Sequence, residues 1–324
     1  MKTRRLRNIE VSEIGYGCMG FSHGYGALPS KEDAIRLIRM SYEMGCTHFD
    51  TAESYAAGAN EELVGEALAP LRHKVTIATK LHIYNRENLE QQIESRLDAS
   101  LKRLRTDYVD LYYQHRNEAG VPPEEVAGMM GKFIQKGKIR GWGQSMTTAE
   151  EIWRANAVTP FSAVQSEYSM MERMFEKDVI PTCGELGIGF VAFSPMASGF
   201  LNGKYQKTDV YTGDDVRRVI TRFTPENMEA NQPLLLMLQE LATPAQISLA
   251  WMLHKYSFII PIPGMRKEER LKENFGAADV ELTKDEFQQL ERTLSQIKIH
   301  GNRTDADIAR LRDTVQVNNS NITG

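Results

Sequence analysis

The sequence predicts an α/β protein in which eight parallel strands close into a (β/α)8 barrel, the TIM-barrel architecture. Strand-like and helix-like runs alternate from Ser30 onward, and no linker interrupts them. With residues 15–17 as the first strand, the chain contains eight β/α units, which close most naturally into a barrel. A doubly wound open sheet is the alternative, and it is less favoured because it would leave two long edges to protect. We therefore predict one barrel domain over residues 1–324, with an N-terminal β-hairpin and an additional C-terminal helix.

The N-terminal residues predict the hairpin and then a loop. Two short alternating runs flank Asn8 within residues 4–14, a pattern typical of a β-hairpin. The glycines at positions 15, 17 and 20 satisfy G-x-G-x-x-G, which binds dinucleotides when a helix opens at the glycines. No helix opens there, because the first helix signal is the capping box Ser30-x-x-Asp33. The glycines are therefore interpreted as a loop that turns or passes close to a ligand.

The remaining elements follow in order from apolar periodicity and from capping residues. Strands are predicted at residues 47–50, 75–80, 108–115, 138–145, 163–165, 188–193 and 258–261. Helices are predicted from Ser30, from an N-cap at Asn60, over residues 89–104 and 122–135, after the box Thr148-x-x-Glu151, over residues 176–186 and 245–254, after Arg266, and from Thr283. Residues 194 to about 234 are predicted to be irregular.

Composition and charge exclude several classes of partner. The 324 residues are 41% hydrophobic and 25% charged, and the net charge is −4. Because no strongly basic block is present, nucleic acid and anionic membrane are poor candidates for partners. The basic N-terminus precedes no apolar run, so neither a signal peptide nor a transmembrane segment is predicted. Three cysteines without metal-ligand spacing fit the reducing cytoplasm and predict no metal site, and the oligomeric state is left open.

Four ionisable groups are predicted to meet at one end of the barrel. Asp50 ends the second strand, Tyr55 lies in the loop after it, Lys80 ends the third strand and His115 ends the fourth. Taken singly, each is more often an ordinary surface or end-of-strand group. Together they lie at the carboxyl-terminal face, where the catalytic groups of α/β barrels gather. Three nearby polar residues are assigned to the structure rather than to the chemistry: His48, His82 and Asp110.

The four side chains fit the transfer of a hydride to a carbonyl. The carbonyl oxygen gains negative charge and needs a proton, and a phenol with a pKa of about 10 is a weak donor alone. The Lys80 ammonium would favour the phenolate and so make Tyr55 a stronger acid. Asp50 would hold Lys80 charged, and His115 would hydrogen-bond the carbonyl oxygen. An isomerase or aldolase barrel, with Lys80 as a Schiff base, is an alternative that leaves Tyr55 unexplained.

The residues around these positions resemble the Asp-Tyr-Lys-His tetrad of the aldo-keto reductase superfamily. The resemblance rests on Asp50 and Tyr55 within Phe-Asp-Thr-Ala-Glu-Ser-Tyr, on Lys80 within Ala-Thr-Lys, and on His115 within Asp-Leu-Tyr-Tyr-Gln-His. It extends from Arg4 to about residue 290. It implies a (β/α)8 barrel closed below by a hairpin, in agreement with the count of strands. It also implies metal-free, reversible reduction of aldehydes and ketones by a nicotinamide cofactor, with tyrosine as the general acid.

The same resemblance assigns a cofactor site to the second half of the chain. Ser145 and Gln165 resemble side chains that hydrogen-bond the nicotinamide carboxamide, and Phe193 resembles the aromatic platform under the ring. The pyrophosphate loop implied by the resemblance comprises Ser194, Pro195, Met196, Gly199, Leu201, Gly203 and Lys204. The adenosine-phosphate segment implied by it comprises Gly264, Met265, Arg266, Arg270, Glu273 and Asn274. Met146 and Met265 depart from the family pattern, in which asparagine and a small hydroxyl residue are common.

The cations of the adenosine-phosphate segment bear on the choice of cofactor. Arg266, Lys267 and Arg270 cluster at a helix N-terminus, where positive charge works against the helix dipole unless a phosphomonoester is bound. NADPH is therefore predicted in preference to NADH, and the departure at Met265 keeps NADH as an alternative. Residues 209–222 are predicted to fold over the cofactor or to stay mobile.

The predicted function is NADPH-dependent reduction of an aldehyde or ketone to an alcohol. A nicotinamide-binding regulatory subunit with little turnover is the alternative, and it is less favoured because no long extension precedes the predicted barrel. The substrate is predicted to be a small-molecule carbonyl compound, which the sequence does not identify. Five residues are predicted to line its pocket: Met19, Phe21, Tyr25, Ala56 and Trp142.

Overall fold

The computed structural model describes residues 1–117, 120–239 and 242–303. The strands of these residues are β1 (Thr3–Leu6), β2 (Ile9–Ser12), β3 (Tyr16–Gly17), β4 (His48–Asp50), β5 (Thr76–Leu81), β6 (Val109–Gln114), β7 (Ile139–Ser145), β8 (Ala163–Glu167), β9 (Gly189–Phe193) and β10 (Ile259–Pro261). Every predicted strand is present, with its ends close to the predicted ones. The apolar runs locate the strands well because strands buried on both faces have near-continuous hydrophobic sequences.

Strands β3 to β10 form one parallel sheet that closes on itself. The eight strands lie side by side in the order of the sequence. The Gly15 amide donates a 2.9 Å hydrogen bond to the Pro261 carbonyl, and the Gly17 amide donates a 3.2 Å hydrogen bond to the Pro263 carbonyl. These bonds join the first strand region to the last. The predicted (β/α)8 barrel is confirmed, and the open-sheet alternative is wrong.

The N-terminal hairpin covers one end of the barrel. Strands β1 and β2 pair antiparallel, and Leu6, Ile9 and Val11 pack against residues of the barrel interior. Gly189 begins β9, and a Cβ at that position would lie only 2.3 Å from Leu6 Cδ2. Glycine therefore allows the hairpin to seat closely against the amino-terminal end of the barrel. This end is closed, so a ligand site is expected at the carboxyl-terminal end.

The helices follow the strands in the alternation that the sequence predicts. Those of the described residues are α1 (Lys31–Glu43), α2 (Ala59–Leu68), α3 (Leu89–Leu104), α4 (Pro123–Gln135), α5 (Ala149–Val158), α6 (Val179–Leu186), α7 (Pro225–Ala230), α8 (Gln232–Gln239), α9 (Pro244–Lys255), α10 (Glu268–Phe275) and α11 (Lys284–Gln296). The capping box predicted at Thr148 has both of its reciprocal hydrogen bonds, and the helix predicted from Thr283 begins with a capping box of the same kind. Helix α11 is the additional C-terminal helix. The prediction of one domain over residues 1–324 extends beyond the described residues and stays a prediction.

The predicted N-cap at Asn60 is wrong. The N-cap is Gly58, two residues before Asn60, and helix α2 begins at Ala59. The Asn60 side chain is fully buried; its Nδ2 donates 2.9 Å to the Cys18 carbonyl, and its Oδ1 accepts 2.6 Å from Thr51 Oγ1. The amide therefore ties together the loops after β3 and β4. An amide that has both partners across the barrel mouth is not available to cap its own helix.

The prediction that residues 194–234 are irregular is wrong in its last part. Helix α7 begins after Thr224, whose hydroxyl accepts from the Asn227 amide, and Pro225 occupies the first turn. This Thr-Pro start is a helix signal in the sequence. The remainder of the segment before Thr224 contains only short turns and 3₁₀ helices among the described residues.

His48 lies in the barrel wall and makes stability depend on pH. Its side chain is fully buried, and neither ring nitrogen has a hydrogen-bond partner among the described residues. Burial lowers the pKa of His48 to about 4, and Asp50 opposes this shift. In the unfolded chain the imidazole takes up a proton as the pH falls below about 6.5, whereas in the folded protein it stays neutral down to about 4. Acid therefore favours the unfolded state over this window.

Replacing His48 with leucine is expected to remove this pH dependence. Between pH 7 and pH 4 the wild type should lose about 3 kcal/mol more unfolding free energy than the variant loses. The reason is that each unit of pKa shift is worth about 1.4 kcal/mol. Urea unfolding of both proteins at several pH values measures the difference, and contributions from other titrating groups cancel in it. Two parallel stability curves would contradict the buried, neutral state of His48.

Candidate active site

The predicted tetrad meets at the carboxyl-terminal end of the barrel. Asp50 ends β4, Lys80 is the next-to-last residue of β5, and His115 directly follows β6. Tyr55 begins a short 3₁₀ helix after β4. Lys80 Nζ forms an ion pair with Asp50 Oδ1 and donates 2.7 Å to the Thr51 carbonyl. The same ammonium lies 3.5 Å from the Tyr55 hydroxyl. The structure thus brings the phenol, the ammonium and the carboxylate into direct contact.

The Lys80 ammonium is held charged inside the protein. Its side chain is fully buried. Burial alone would lower the pKa of Lys80, but the attraction of Asp50, followed by that of Tyr55, outweighs it and raises the pKa above the usual value. A buried charge of this kind is stable only when it is paired and hydrogen-bonded. The Tyr55 hydroxyl therefore faces a positive charge.

The backbone after β4 places Tyr55 over Lys80. The Glu53 amide donates to the Lys80 carbonyl at 3.1 Å, and the Tyr55 amide donates to the Ala52 carbonyl at 3.1 Å. Ala56 and Ala57 follow with φ of 48° and 51°, in the left-handed region that residues with a Cβ rarely adopt. Such strain persists only where surrounding contacts impose it, and it is found most often at functional sites.

His115 lies beside Tyr55 in the same cavity. Its ring is 5.8 Å from that of Tyr55 in an edge-to-face arrangement, and its Nδ1 lies 3.4 Å from Ser54 Oγ. The ring of His82 lies 4.6 Å from that of His115. His82 also lines the cavity, although the sequence analysis assigned it to the structure. The signal was available, because His82 directly follows the strand that carries Lys80.

A cavity of about 700 Å³ opens at this end of the barrel. This volume is in the range of small-molecule and cofactor sites. It is lined by Asp50, Tyr55 and His115 of the tetrad. The predicted cofactor residues that also line it are Ser145, Gln165, Phe193, Ser194, Pro195, Met196, Gly199, Lys204, Gly264, Arg266, Arg270 and Asn274. Lys80 lies behind this wall.

Four of the predicted cofactor residues do not line the cavity: Leu201, Gly203, Met265 and Glu273. Leu201 and Met265 are buried in the hydrophobic core, and the Met265 carbonyl accepts a hydrogen bond from the Tyr16 hydroxyl. Glu273 forms an ion pair with Arg270. Direct contact with a cofactor stays a prediction for these four residues.

Two arginines in the cavity were not identified from the sequence. Arg116 follows His115, and its Nη1 donates to the His115 carbonyl at 2.6 Å and to Ser145 Oγ at 2.9 Å. Arg303 donates to Glu167 Oε2 at 3.0 Å. Both guanidinium groups lie within 6 Å of the Phe193 ring centroid, at 5.9 and 5.1 Å. Arg116 is the second residue after β6 and was detectable by the rule that selected His115, whereas no pattern in the sequence links Arg303 to the site.

Cations gather along the part of the cavity formed by the loops after β9 and β10. Lys204, Arg266, Lys267 and Arg270 all line it. Arg266 also donates to the Ala27 carbonyl at 2.7 Å and to the Tyr25 carbonyl at 2.8 Å. This arginine therefore both holds the loop after β3 in place and contributes positive charge to the cavity.

The segment of residues 209–222 crosses the cavity. Its Asp214 side chain accepts from the Gly24 amide at 2.8 Å, and the Val216 amide donates to the Gly24 carbonyl at 3.0 Å. Val216 lines the cavity. Arg217 pairs with Asp215 and lies 4.4 Å from the Tyr205 ring. The segment therefore packs against the loop after β3, and whether it folds over a bound cofactor stays a prediction.

The predicted substrate pocket is partly wrong. Met19 and Tyr25 line the cavity, as predicted, whereas Phe21, Ala56 and Trp142 do not. The Trp142 ring stacks on the ring of Phe161 in the core, with 4.2 Å between the centroids. Trp142 is three residues before Ser145 on β7, and successive side chains of a strand point to opposite faces. Ser145 faces the cavity, so Trp142 must face the helices.

Two features of the described residues bear on membranes and metal ions as partners. None of the described helices has the length and apolar character needed to cross a membrane. Within residues 1–117, 120–239 and 242–303, no group of three or more His, Cys, Asp or Glu side chains is arranged to hold a metal ion.

Known proteins are similar to this chain in sequence and in fold. The model of the aldo/keto reductase family matches residues 13–295. A relative described as probable aldo-keto reductase 1, from Glycine max, is 39% identical over 297 residues, which cover 88% of this chain and 86% of that protein.

Solved structures of other proteins have a similar fold. Glycerol dehydrogenase from Gluconobacter oxydans is similar with a TM-score of 0.81 and 25% identity, covering 94% of this chain and 97% of that chain. An aldo-keto reductase from Klebsiella pneumoniae, solved in complex with NADPH, has a TM-score of 0.72 and 25% identity, covering 91% of this chain and 96% of that one. The chain therefore belongs to the aldo/keto reductase family of NAD(P)H-dependent oxidoreductases.

Proposed function

We propose that this protein reduces aldehydes or ketones to alcohols with NADPH, and that Tyr55 donates the proton. The observation that carries the proposal is the 3.5 Å contact between the buried, charged Lys80 ammonium and the Tyr55 hydroxyl at the wall of the cavity. An ammonium at this distance stabilises the phenolate that remains after the proton has left. The pairing is therefore suited to a carbonyl oxygen that gains negative charge as it is reduced.

The cavity fits a nicotinamide dinucleotide phosphate. Lys204, Arg266, Lys267 and Arg270 supply positive charge for its phosphate groups. Gly199 lines the cavity with a φ of 96°, and because glycine has no Cβ its backbone leaves room for a phosphate group to approach closely. Phe193 offers a flat apolar wall for the nicotinamide ring. When bound, NADPH supplies the hydride.

The tetrad residues have separate roles in this proposal. Tyr55 gives its proton to the carbonyl oxygen, and Lys80 stabilises the resulting phenolate. Asp50 keeps the ammonium charged and fixed. His115, beside the Tyr55 ring, donates a hydrogen bond that positions the carbonyl oxygen. The segment of residues 209–222 contributes Val216 to the cavity and would help to exclude water from the reacting groups.

The preference for NADPH over NADH is expected to depend on Arg270. The 2′-phosphate is the only difference between the two cofactors, and a hydrogen bond between charged groups is worth about 1.5–3 kcal/mol. Replacing Arg270 with glutamine should therefore weaken NADPH binding about tenfold to a hundredfold. It should leave NADH binding nearly unchanged. Titration of cofactor fluorescence measures both dissociation constants.

Lys272 provides a matched control on the same helix. It is exposed, it pairs with Glu268, and it does not line the cavity. Replacing Lys272 with glutamine removes the same charge from α10 and should change neither dissociation constant. Equal weakening of NADPH and NADH by the Arg270 change would contradict a 2′-phosphate contact.

The reaction itself is tested by following NADPH oxidation with a panel of small aliphatic and aromatic aldehydes and ketones. The proposal expects saturable oxidation with at least one member of the panel. Tight NADPH binding without oxidation across the panel would instead support a regulatory nicotinamide-binding role.

A further inference from the structure

We propose that Arg116 is a positioning residue, which fixes the hydrogen-bonding polarity of Ser145 and thereby the orientation in which the nicotinamide carboxamide binds. The inference rests on the proposed cofactor site and assigns a role to a residue that the proposal does not use. It follows from the donors and acceptors that surround Ser145 and Gln165.

The Ser145 hydroxyl is left with a proton to donate. Its side chain is almost fully buried, and its Oγ accepts a 2.9 Å hydrogen bond from Arg116 Nη1. A guanidinium group carries donors and no acceptor, and it stays protonated at every accessible pH. Arg116 therefore cannot take the hydroxyl proton. Within the described residues, no other contact of Ser145 Oγ provides an acceptor, so the proton is available to a ligand in the cavity.

The Gln165 side chain has the opposite polarity. Its Nε2 donates a 2.8 Å hydrogen bond to Asp50 Oδ2, and the other oxygen of Asp50 binds the Lys80 ammonium. An ionised carboxylate accepts only, so it fixes the nitrogen of the glutamine amide toward itself. The Oε1 atom of Gln165 is then the atom left to accept from a ligand.

The two side chains together match one orientation of a primary amide. Ser145 and Gln165 are register partners on the neighbouring strands β7 and β8, and both line the cavity. They offer one donor and one acceptor side by side. A carboxamide has one acceptor, its carbonyl oxygen, and one donor group, its NH₂. The oxygen can therefore bind Ser145 while the NH₂ group binds Gln165, and the reversed orientation would oppose donor to donor.

Arg116 is well placed to keep this polarity fixed. Its Nη1 also donates to the carbonyl of His115, so the guanidinium group is held at two points. Without these donors, the Ser145 hydroxyl could rotate and accept from the carboxamide NH₂ group. The nicotinamide would then lose its preferred orientation, although every group that touches it would remain.

Two cofactor analogues separate the two contacts. In thionicotinamide adenine dinucleotide phosphate, sulfur replaces the carbonyl oxygen and is a weaker acceptor for Ser145. In the 3-acetylpyridine analogue, a methyl group replaces the NH₂ group and cannot donate to Gln165. Each lost hydrogen bond should weaken binding to the wild type about threefold to tenfold relative to NADP⁺. Fluorescence or calorimetric titration gives the dissociation constants without any need for turnover.

The Arg116→Met variant should change only one of these ratios. The penalty for the thionicotinamide analogue is expected to fall below about twofold, while the penalty for the acetylpyridine analogue is retained. Arg116→Lys keeps a donor and should restore both penalties. Ser145→Ala should reproduce the Arg116→Met ratios, and the double variant should be no further changed, because both changes remove the same contact.

The outcomes distinguish this inference from the proposed function. A full thionicotinamide penalty in Arg116→Met, or equal loss of both penalties that Arg116→Lys does not restore, would overturn the role of Arg116 and leave the proposed function standing. A wild-type protein that does not bind NADP⁺ would overturn both.

Discussion

Replacing Tyr55 with phenylalanine is expected to lower turnover about a hundredfold to ten-thousandfold, the usual contribution of a general acid. The change removes one oxygen atom, which lies 3.5 Å from the Lys80 ammonium at the cavity wall. No other hydroxyl in the described residues contacts that ammonium. The ring remains, so its contact with His115 and the shape of the cavity are preserved. NADPH binding should therefore be retained while the chemical step fails.

Tyr25 gives the matched control for this experiment. It lines the same cavity, but its contact with Arg266 is through the backbone carbonyl. Tyr25→Phe should therefore change turnover little. Measurement of kcat and of the NADPH dissociation constant for both variants separates catalysis from binding. Wild-type kcat in Tyr55→Phe would remove Tyr55 from the role of acid.

Replacing Lys80 with methionine is expected to damage both activity and stability. Methionine has a similar length and fills the site, but the Asp50 carboxylate then lies buried without its ion pair. Breaking a buried ion pair by removing one partner costs about 3–5 kcal/mol of unfolding free energy. Turnover should fall at least as far as in Tyr55→Phe, because the Tyr55 phenolate is no longer stabilised.

A second change separates the two effects of Lys80. In the double variant Lys80→Met with Asp50→Asn, no charge is left unpaired, so most of the lost stability should return while activity stays lost. Lys132→Met is the control for loss of a lysine, because its pair with Glu90 is exposed and should be worth at most about 1 kcal/mol. Urea unfolding and NADPH oxidation measure the two properties. An active Lys80→Met protein would contradict the role of the ammonium.

The fold and the tetrad were predictable because their signals are local. Each strand is an apolar run of a few residues, and parallel strands of a barrel end at one face. Asp50, Lys80 and His115 could therefore be placed together without knowledge of any contact. The same rule also applies to two residues that the prediction left out. His82 and Arg116 follow the ends of β5 and β6 and also line the cavity.

The errors have physical causes that the local pattern does not contain. Asparagine is a residue type favoured at helix N-caps, but hydrogen bonds to Cys18 and Thr51 hold the Asn60 side chain away from the end of its helix. Trp142 was predicted to line the pocket, whereas strand alternation places it on the opposite face of β7 from Ser145. The position of Arg303 depends on the path of the chain after α11 and on Glu167, more than a hundred residues earlier.

Transfer of deuterium from the cofactor tests the central claim most directly. The protein would be loaded with NADPH that carries deuterium at C4 of the nicotinamide ring and mixed with an aldehyde in a single turnover, and the alcohol would be analysed by mass spectrometry and NMR. The tetrad and cavity described above predict deuterium on the carbinol carbon, with the hydroxyl proton coming from solvent through Tyr55. The cofactor is deuterated on both faces of C4, so that whichever hydrogen is transferred carries the label. Alcohol without deuterium at the carbinol carbon would contradict hydride transfer in this cavity.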